Sequence, residues 1–281
     1  MTASLDVPTS LDGTAQPRTI VAGRGPGVPE HDLPGPRFRA ATTGSTVWIE
    51  HDLSLATVSD HRLVTGLLGL VADGVLAGQD EFERAFVEVV TSCAPSRPAA
   101  WSAFYRNSLV ELRAGTADFS PVHRRARSLL AGDSVLEVGS CFGLFALQCA
   151  QDGFRVCAAD ICPESLDLLE AASDALGIPV GTRLADARAL PFADGDVDTV
   201  TLIHLLEHLD DDGVDAAIGE ALRVARRRVV IAVPYEDRPS PHFGHLTALT
   251  PADLQRWARR HPDVPSRVFA DHGGWLVFDH P

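Results

Sequence analysis

From Ser134 onward the chain alternates strand-length apolar runs with helix-length amphipathic stretches, and this pattern most constrains its fold. Runs at Ser134–Val138, 154–159, 180–184, Val197–Ile203 and 228–233 lack the regular polar alternation of a half-solvated strand. Between them, 143–151, Pro163–Leu176 and 214–225 repeat their apolar residues at helical spacing. A strand that is apolar along its length is buried on both faces, so the arrangement demands a parallel sheet covered by helices on both sides. The tail breaks the alternation. There 267–270 and 275–278 flank Asp271-His272-Gly273-Gly274, the signal of an antiparallel hairpin. The expected class is α/β, a doubly wound sheet ending in an antiparallel hairpin.

Three segments follow from this reading. Residues 1–40 hold six Pro and five Gly with no apolar period, which predicts a disordered leader. Residues 41–116 predict a small, mainly helical unit that helps to cover an acceptor pocket. It has a short strand at Val47-Trp48-Ile49, helices over 61–77 and 81–90, and a third helix opened by Pro98. The stripe Trp101, Phe104 and Tyr105 on that third helix reads as core packing. Residues 117–281 form the sheet domain.

Composition narrows the function. The formal charge of −14 argues against a large nucleic-acid footprint, because phosphate binding needs a basic patch. The best apolar stretch, 63–77, is interrupted by Gly66, Gly69, Asp73 and Gly74, so no membrane span is expected. Five cysteines without C-x-x-C spacing read as reduced thiols in the cytoplasm. The oligomeric state is not legible in the sequence.

Ligands of doubly wound sheets bind at the carboxyl ends of the strands, at the topological switch point. The first strand of the domain ends Glu137-Val138-Gly139-Ser140-Cys141-Phe142-Gly143, where two glycines permit a tight turn and close backbone approach. The next strand ends at Asp160, a carboxylate able to accept both hydroxyls of a ribose. The spacing is G-x-x-x-G, not the G-x-G-x-x-G of dinucleotide binders, which disfavours a nicotinamide-dependent oxidoreductase.

The order Glu137-x-Gly139-x-x-x-Gly143, Asp160, Asp186-Ala187, Pro191-Phe192-x-x-Gly195-x-x-Asp198, His204-Leu-Leu-Glu207-His208 resembles the class I S-adenosylmethionine-dependent methyltransferases over about residues 120–281. The resemblance implies a Rossmann-like methyltransferase sheet with S-adenosyl-L-methionine as cofactor. Glu137, Gly139, Ser140 and Gly143 would face its amino-acid part, Asp160 its ribose, and Ile161, Asp186 and Ala187 its adenine. The family often has a glycine where Cys141 stands; that thiol is expected to be buried and inert. The stretches 101–109, 139–143, 204–208 and 272–278 also look like the methyltransferase of the mycofactocin system. That likeness implies O-methylation of a sugar hydroxyl on an oligosaccharide tail.

Methyl transfer to an alcohol requires a base or metal to polarise a poor nucleophile. His204, Glu207 and His208 stand at i, i+3 and i+4, and His245 lies beyond the following strand. His208, His245 and His204 are therefore the candidate catalytic residues. The set resembles the E-x-x-E-H plus distal histidine pattern of metal-dependent small-RNA 2′-O-methyltransferases and ubiquinone-pathway O-methyltransferases. That resemblance implies a divalent ion held by His204, Glu207, His208 and His245. The nitrogen-rich set favours Mn²⁺ or Zn²⁺ over Mg²⁺. The acceptor expected is a small glycosylated molecule. A phenolic or quinone-like metabolite and a non-catalytic nucleotide-binding role are the alternatives.

Overall fold

The computed structural model describes residues 17–25 and 36–280. Its first element corrects the expectation of a disordered leader over 1–40. Strand β1 (Thr19–Arg24) lies parallel to β3 (Thr46–His51), and β2 (Phe38–Thr43) pairs antiparallel on the other side of β3. The strand β1 owes its order to tertiary partners. Ile20 is buried, and the Arg18 guanidinium pairs with Glu81 while also donating to the Val75 carbonyl at 2.8 Å. The rest of that segment, 1–16 and 26–35, lies outside the described residues.

Three helices follow: α1 (Asp60–Ala72), α2 (Gly78–Ser92) and α3 (Arg97–Ala114). The first stops earlier than its apolar run suggests, because Asp73-Gly74 ends it and Gly74 takes φ +71°. A fourth, α4 (Ser120–Ser128), escaped sequence reading because its Arg-rich face hides the few buried positions, Ser120, Val122, His123 and Ala126. The segment 41–116 is thus more mixed than the predicted helical unit.

The main sheet is built from β4 (Ser134–Val138), α5 (Leu144–Gln151), β5 (Arg155–Asp160), α6 (Pro163–Leu176), β6 (Gly181–Leu184), β7 (Val197–Ile203), α7 (Asp211–Val224), β8 (Ala225–Val233), α8 (Pro251–Arg260), β9 (Ser266–Ala270) and β10 (Gly274–Asp279). Seven strands run in the order β6-β5-β4-β7-β8-β10-β9. The first five are parallel, while β10 inserts antiparallel between β8 and β9. The expected hairpin is present: Gly274 pairs with Ala270, and the Trp275 indole N–H donates to the Asp271 carbonyl at 2.7 Å. Helix α8 was not anticipated, although Thr250-Pro-Ala-Asp253 forms a capping box that marks its start.

Each face of the sheet has its own apolar core. One joins α5 and the inward faces of β4 and β8 to α1, α2 and α3, so the N-terminal elements complete that face. The other gathers α7, α8 and the opposite side of the strands. The chain reverses its winding between β4 and β7, and the carboxyl ends of these strands, with those of β5 and β8, converge on one edge. No helix of the described residues is long and apolar enough to cross a membrane.

Candidate active site

The loop after β4 is shaped by close approach. Gly139 and Gly143 take φ +72° and +65°. A Cβ on Gly139 would stand 2.7 Å from the Leu205 side chain, and one on Gly143 2.4 Å from that of Leu169. Neither position tolerates a larger residue without displacement. Cys141 also takes the left-handed conformation, at φ +49°, which is why glycine suits this position. Its N–H donates to Asp160 Oδ2 at 2.7 Å, and Cys162 N–H donates to Asp160 Oδ1 at 2.9 Å. Asp160 therefore ties the glycine loop to the end of β5 and stands at the mouth of that strand.

Cys141 corrects a second expectation: the residue is exposed. Even so, burial and then the Asp160 and Asp60 carboxylates push its thiol upward, so it stays protonated. The five cysteines are unbridged among the described residues. Glu137 is buried on β4, where its Oε2 accepts the Ala146 N–H at 2.9 Å and anchors the start of α5. Burial pushes its carboxyl up to about 8. Ser140 is buried, with a hydroxyl that has no hydrogen-bond partner among the described residues. Ile161 is 68% exposed directly after Asp160, an apolar surface for a flat ring. Asp186 is held by the Arg188 guanidinium, with contacts of 2.6–3.1 Å, and that cation depresses its carboxyl; Ala187 lies beside it.

At the ends of β7 and β8 the second cluster forms. Leu206–His208 is a 3-10 turn, preceded by His204 at φ +51° with its N–H donating to the Ala232 carbonyl at 2.8 Å. The turn buries Glu207 completely. Neither of its carboxylate oxygens has a hydrogen-bond partner among the described residues, and burial pushes the group up to about 8. Oε1 lies 3.7 Å from His204 Nδ1 and 4.0 Å from His245 Nε2. Ligand atoms of Glu207, His208 and His245 all lie within 4.8 Å of one another, and the His208 and His245 rings meet edge to face at 4.9 Å. His204 stands against Glu207 but outside that triple, packed at 4.8 Å on Phe119. Burial lowers His204 to about 3, so it is neutral at physiological pH, and it also lowers His208.

Sequence reading brought the histidines and Glu207 to one place but missed Glu236. Its Oε2 meets His245 Nδ1 at 2.7 Å, while Ser240 Oγ donates to Oε1 at 2.6 Å. With Nδ1 held by the carboxylate, Nε2 is the nitrogen directed toward Glu207. The available signal was a carboxylate three positions after the apolar end of β8, at the same edge as the histidines. Phe119 gave none, since it precedes an unrecognised helix.

A parallel sheet with one antiparallel strand inserted next to its end, and a glycine loop after its central strand, defines the class I methyltransferase fold. Consistent with this, residues 136–233 match the family described as methyltransferase domain. An uncharacterized methyltransferase of Mycobacterium sp. (strain KMS) is 31% identical over 153 residues, 52% of this chain and 56% of that protein. The uncharacterized protein Rv1403c of Mycobacterium tuberculosis is 36% identical over 84 residues, 30% of this chain and 31% of its own length. The chain thus matches between about a third and about half of these relatives' length. The solved structure of PH0226 protein from Pyrococcus horikoshii OT3 aligns with a TM-score of 0.50 at 14% identity, over 61% of this chain and 92% of that one, a likeness of fold.

Proposed function

We propose that the chain is a cytoplasmic S-adenosylmethionine-dependent O-methyltransferase acting on a sugar hydroxyl of a small glycosylated molecule, such as the oligosaccharide tail of mycofactocin. The observation that carries it is the shared edge of the sheet. There the glycine loop, tied to Asp160, packs at Gly139 against Leu205, two residues before a buried carboxyl among histidines. The first group suits a nucleoside bearing a reactive sulfonium, and the second suits a hydroxyl that must lose its proton as it attacks. Transfer is an in-line displacement in which the acceptor oxygen takes the methyl, the carbon–sulfur bond breaks and S-adenosylhomocysteine leaves. Much of its rate comes from orientation. The protein supplies placement, exclusion of water and a destination for the acceptor's proton. His245 Nε2 is suited to that last role, because Glu236 fixes the other ring nitrogen.

A divalent ion is a second reading, supported by the two Glu207 oxygens that accept no hydrogen bond among the described residues and by their proximity to His208 and His245. These three residues would hold Mn²⁺, Zn²⁺ or Mg²⁺, with His204 adjoining through Glu207; a bound ion would acidify a coordinated hydroxyl. A phenolic or quinone-like acceptor would use the same groups. Nothing in this reading calls for nucleic acid.

Calorimetry with S-adenosylhomocysteine against NAD tests the cofactor, and Asp160→Ala should weaken the former at least about tenfold. Binding of NAD alone would overturn the reading. Labelled methyl transfer into oligosaccharide and phenolic fractions of a metabolite extract then separates the acceptors. Chelation abolishes turnover, restored by Mn²⁺ or Zn²⁺, if a metal activates the hydroxyl, and leaves it intact if His245 is the base.

A further inference from the structure

The N-terminal helices bring two polar groups to the glycine loop that the chain itself leaves unengaged. Helix α3 packs directly on that loop: Trp101 and Phe104 meet Phe142 at ring distances of 5.6 and 5.4 Å. Tyr105, the next residue, is fully buried, yet its hydroxyl has no hydrogen-bond partner among the described residues. One turn further along α3, Ser108 Oγ accepts the Asp60 N–H at 2.8 Å, which fixes the first residue of α1 beside it. No hydrogen bond or ion pair within the described residues engages the Asp60 carboxylate. Burial raises that carboxyl to about 6. Both groups act on the same neighbour. Burial first, and the Asp60 carboxylate after it, keep the Cys141 thiol protonated, and Tyr105 lies close enough to that side chain to be coupled to it. The helices packed on the glycine loop therefore carry a donor without an acceptor and a carboxylate without a hydrogen-bonded or ion-paired partner among the described residues.

Such an arrangement costs free energy in the empty protein unless a ligand completes it. In the proposed reading Asp160 and Ile161 take the ribose and the adenine, and neither of those groups carries a charge. The remaining end of S-adenosylmethionine carries an α-ammonium and a carboxylate, the two groups this pair lacks.

We propose that Asp60 and Tyr105 hold the aminoacyl end of the cofactor, the Asp60 carboxylate accepting from the ammonium and the Tyr105 hydroxyl donating to the carboxylate. The assignment rests on the reading of the chain as an S-adenosylmethionine binder. It gives the N-terminal helices a direct part in cofactor selection, beyond covering the sheet.

The test is calorimetry on the full chain with two ligands. S-adenosylhomocysteine carries the aminoacyl end, and 5′-methylthioadenosine keeps the adenine, ribose and sulfur without it. Tyr105→Phe and Asp60→Asn, each checked for an unchanged melting profile or compared at a temperature where both are folded, should weaken S-adenosylhomocysteine about tenfold or more. Affinity for 5′-methylthioadenosine should stay as in the unaltered chain. Unchanged affinity for S-adenosylhomocysteine, or an equal loss for both ligands, would overturn the assignment. Failure of the unaltered chain to bind either ligand would instead overturn the cofactor reading on which it rests, and the assignment with it.

Discussion

Replacing Glu137 by Gln isolates the cost of a buried acid at the cofactor loop. Glu137 is 5% exposed on the central strand β4, and burial lifts its carboxyl from an ordinary 4.5 to about 8. The folded protein therefore holds a proton that the unfolded chain releases above pH 4.5. Folding is penalised progressively between pH 4.5 and 8, and not below that window. At pH 7 the gap from 4.5 is about 2.5 pH units, and at about 1.4 kcal/mol per unit the penalty is about 3 kcal/mol. Glutamine keeps an oxygen for the Ala146 N–H but does not titrate, so Glu137→Gln should lose this pH-dependent penalty. Its amide nitrogen can be left without a partner, at a cost of about 1–3 kcal/mol that does not vary with pH. The diagnostic quantity is therefore the difference between the two stability curves. Urea denaturation at pH 5, 6, 7 and 8 should show the variant gaining on the parent by about 1 kcal/mol per pH unit or more. Parallel curves across that range would refute the assignment of a proton to Glu137 in the folded state.

Other expectations concern the sheet, the nucleoside end and the N-terminal strand. Asp198 accepts from the Asp133 N–H, the Ser134 N–H and the Ser134 hydroxyl at 3.0, 3.2 and 3.0 Å, and these donors hold its carboxyl well below the usual range. Asp198→Ala should cost about 2–4 kcal/mol by denaturant titration at pH 7. Because the folded value is depressed, that advantage should fade as pH falls below the ordinary carboxylate range; a constant difference down to pH 2 would contradict this. Ile161→Asp should leave the melting temperature unchanged, since the residue is 68% exposed, but weaken S-adenosylhomocysteine about tenfold by calorimetry. Equal affinity would remove Ile161 from the adenine site. Deleting residues 1–25 removes β1 and the Arg18–Glu81 pair, and should lower the melting temperature by about 5 °C or more in a thermal scan. An unchanged midpoint would mean that β1 contributes nothing to stability.

The sequence by itself determined the main sheet, because strands buried on both faces leave uninterrupted apolar runs and the helices between them keep a local period. It also placed the glycine loop and Asp160, whose chemistry sits at strand ends that the pattern locates. The histidines with Glu207 could be nominated for the same reason, three of the four lying within a single turn. Other features depended on partners distant in the chain. The strand β1 has no readable period and becomes a strand only by pairing with β3 and packing Ile20 into a core. Glu236 is an ordinary surface-type residue until the return of the chain after β8 brings His245 onto it. His204 belongs to the predicted set, but the left-handed backbone at that position sends it against Phe119 and leaves Glu207, His208 and His245 as the closer group. Asp60 and Tyr105 look like a helix start and a core aromatic until α3 is laid on the glycine loop. Local pattern records which face of an element is buried; which polar groups meet across elements is set by the crossing of strands and helices, and only the tertiary structure decides it.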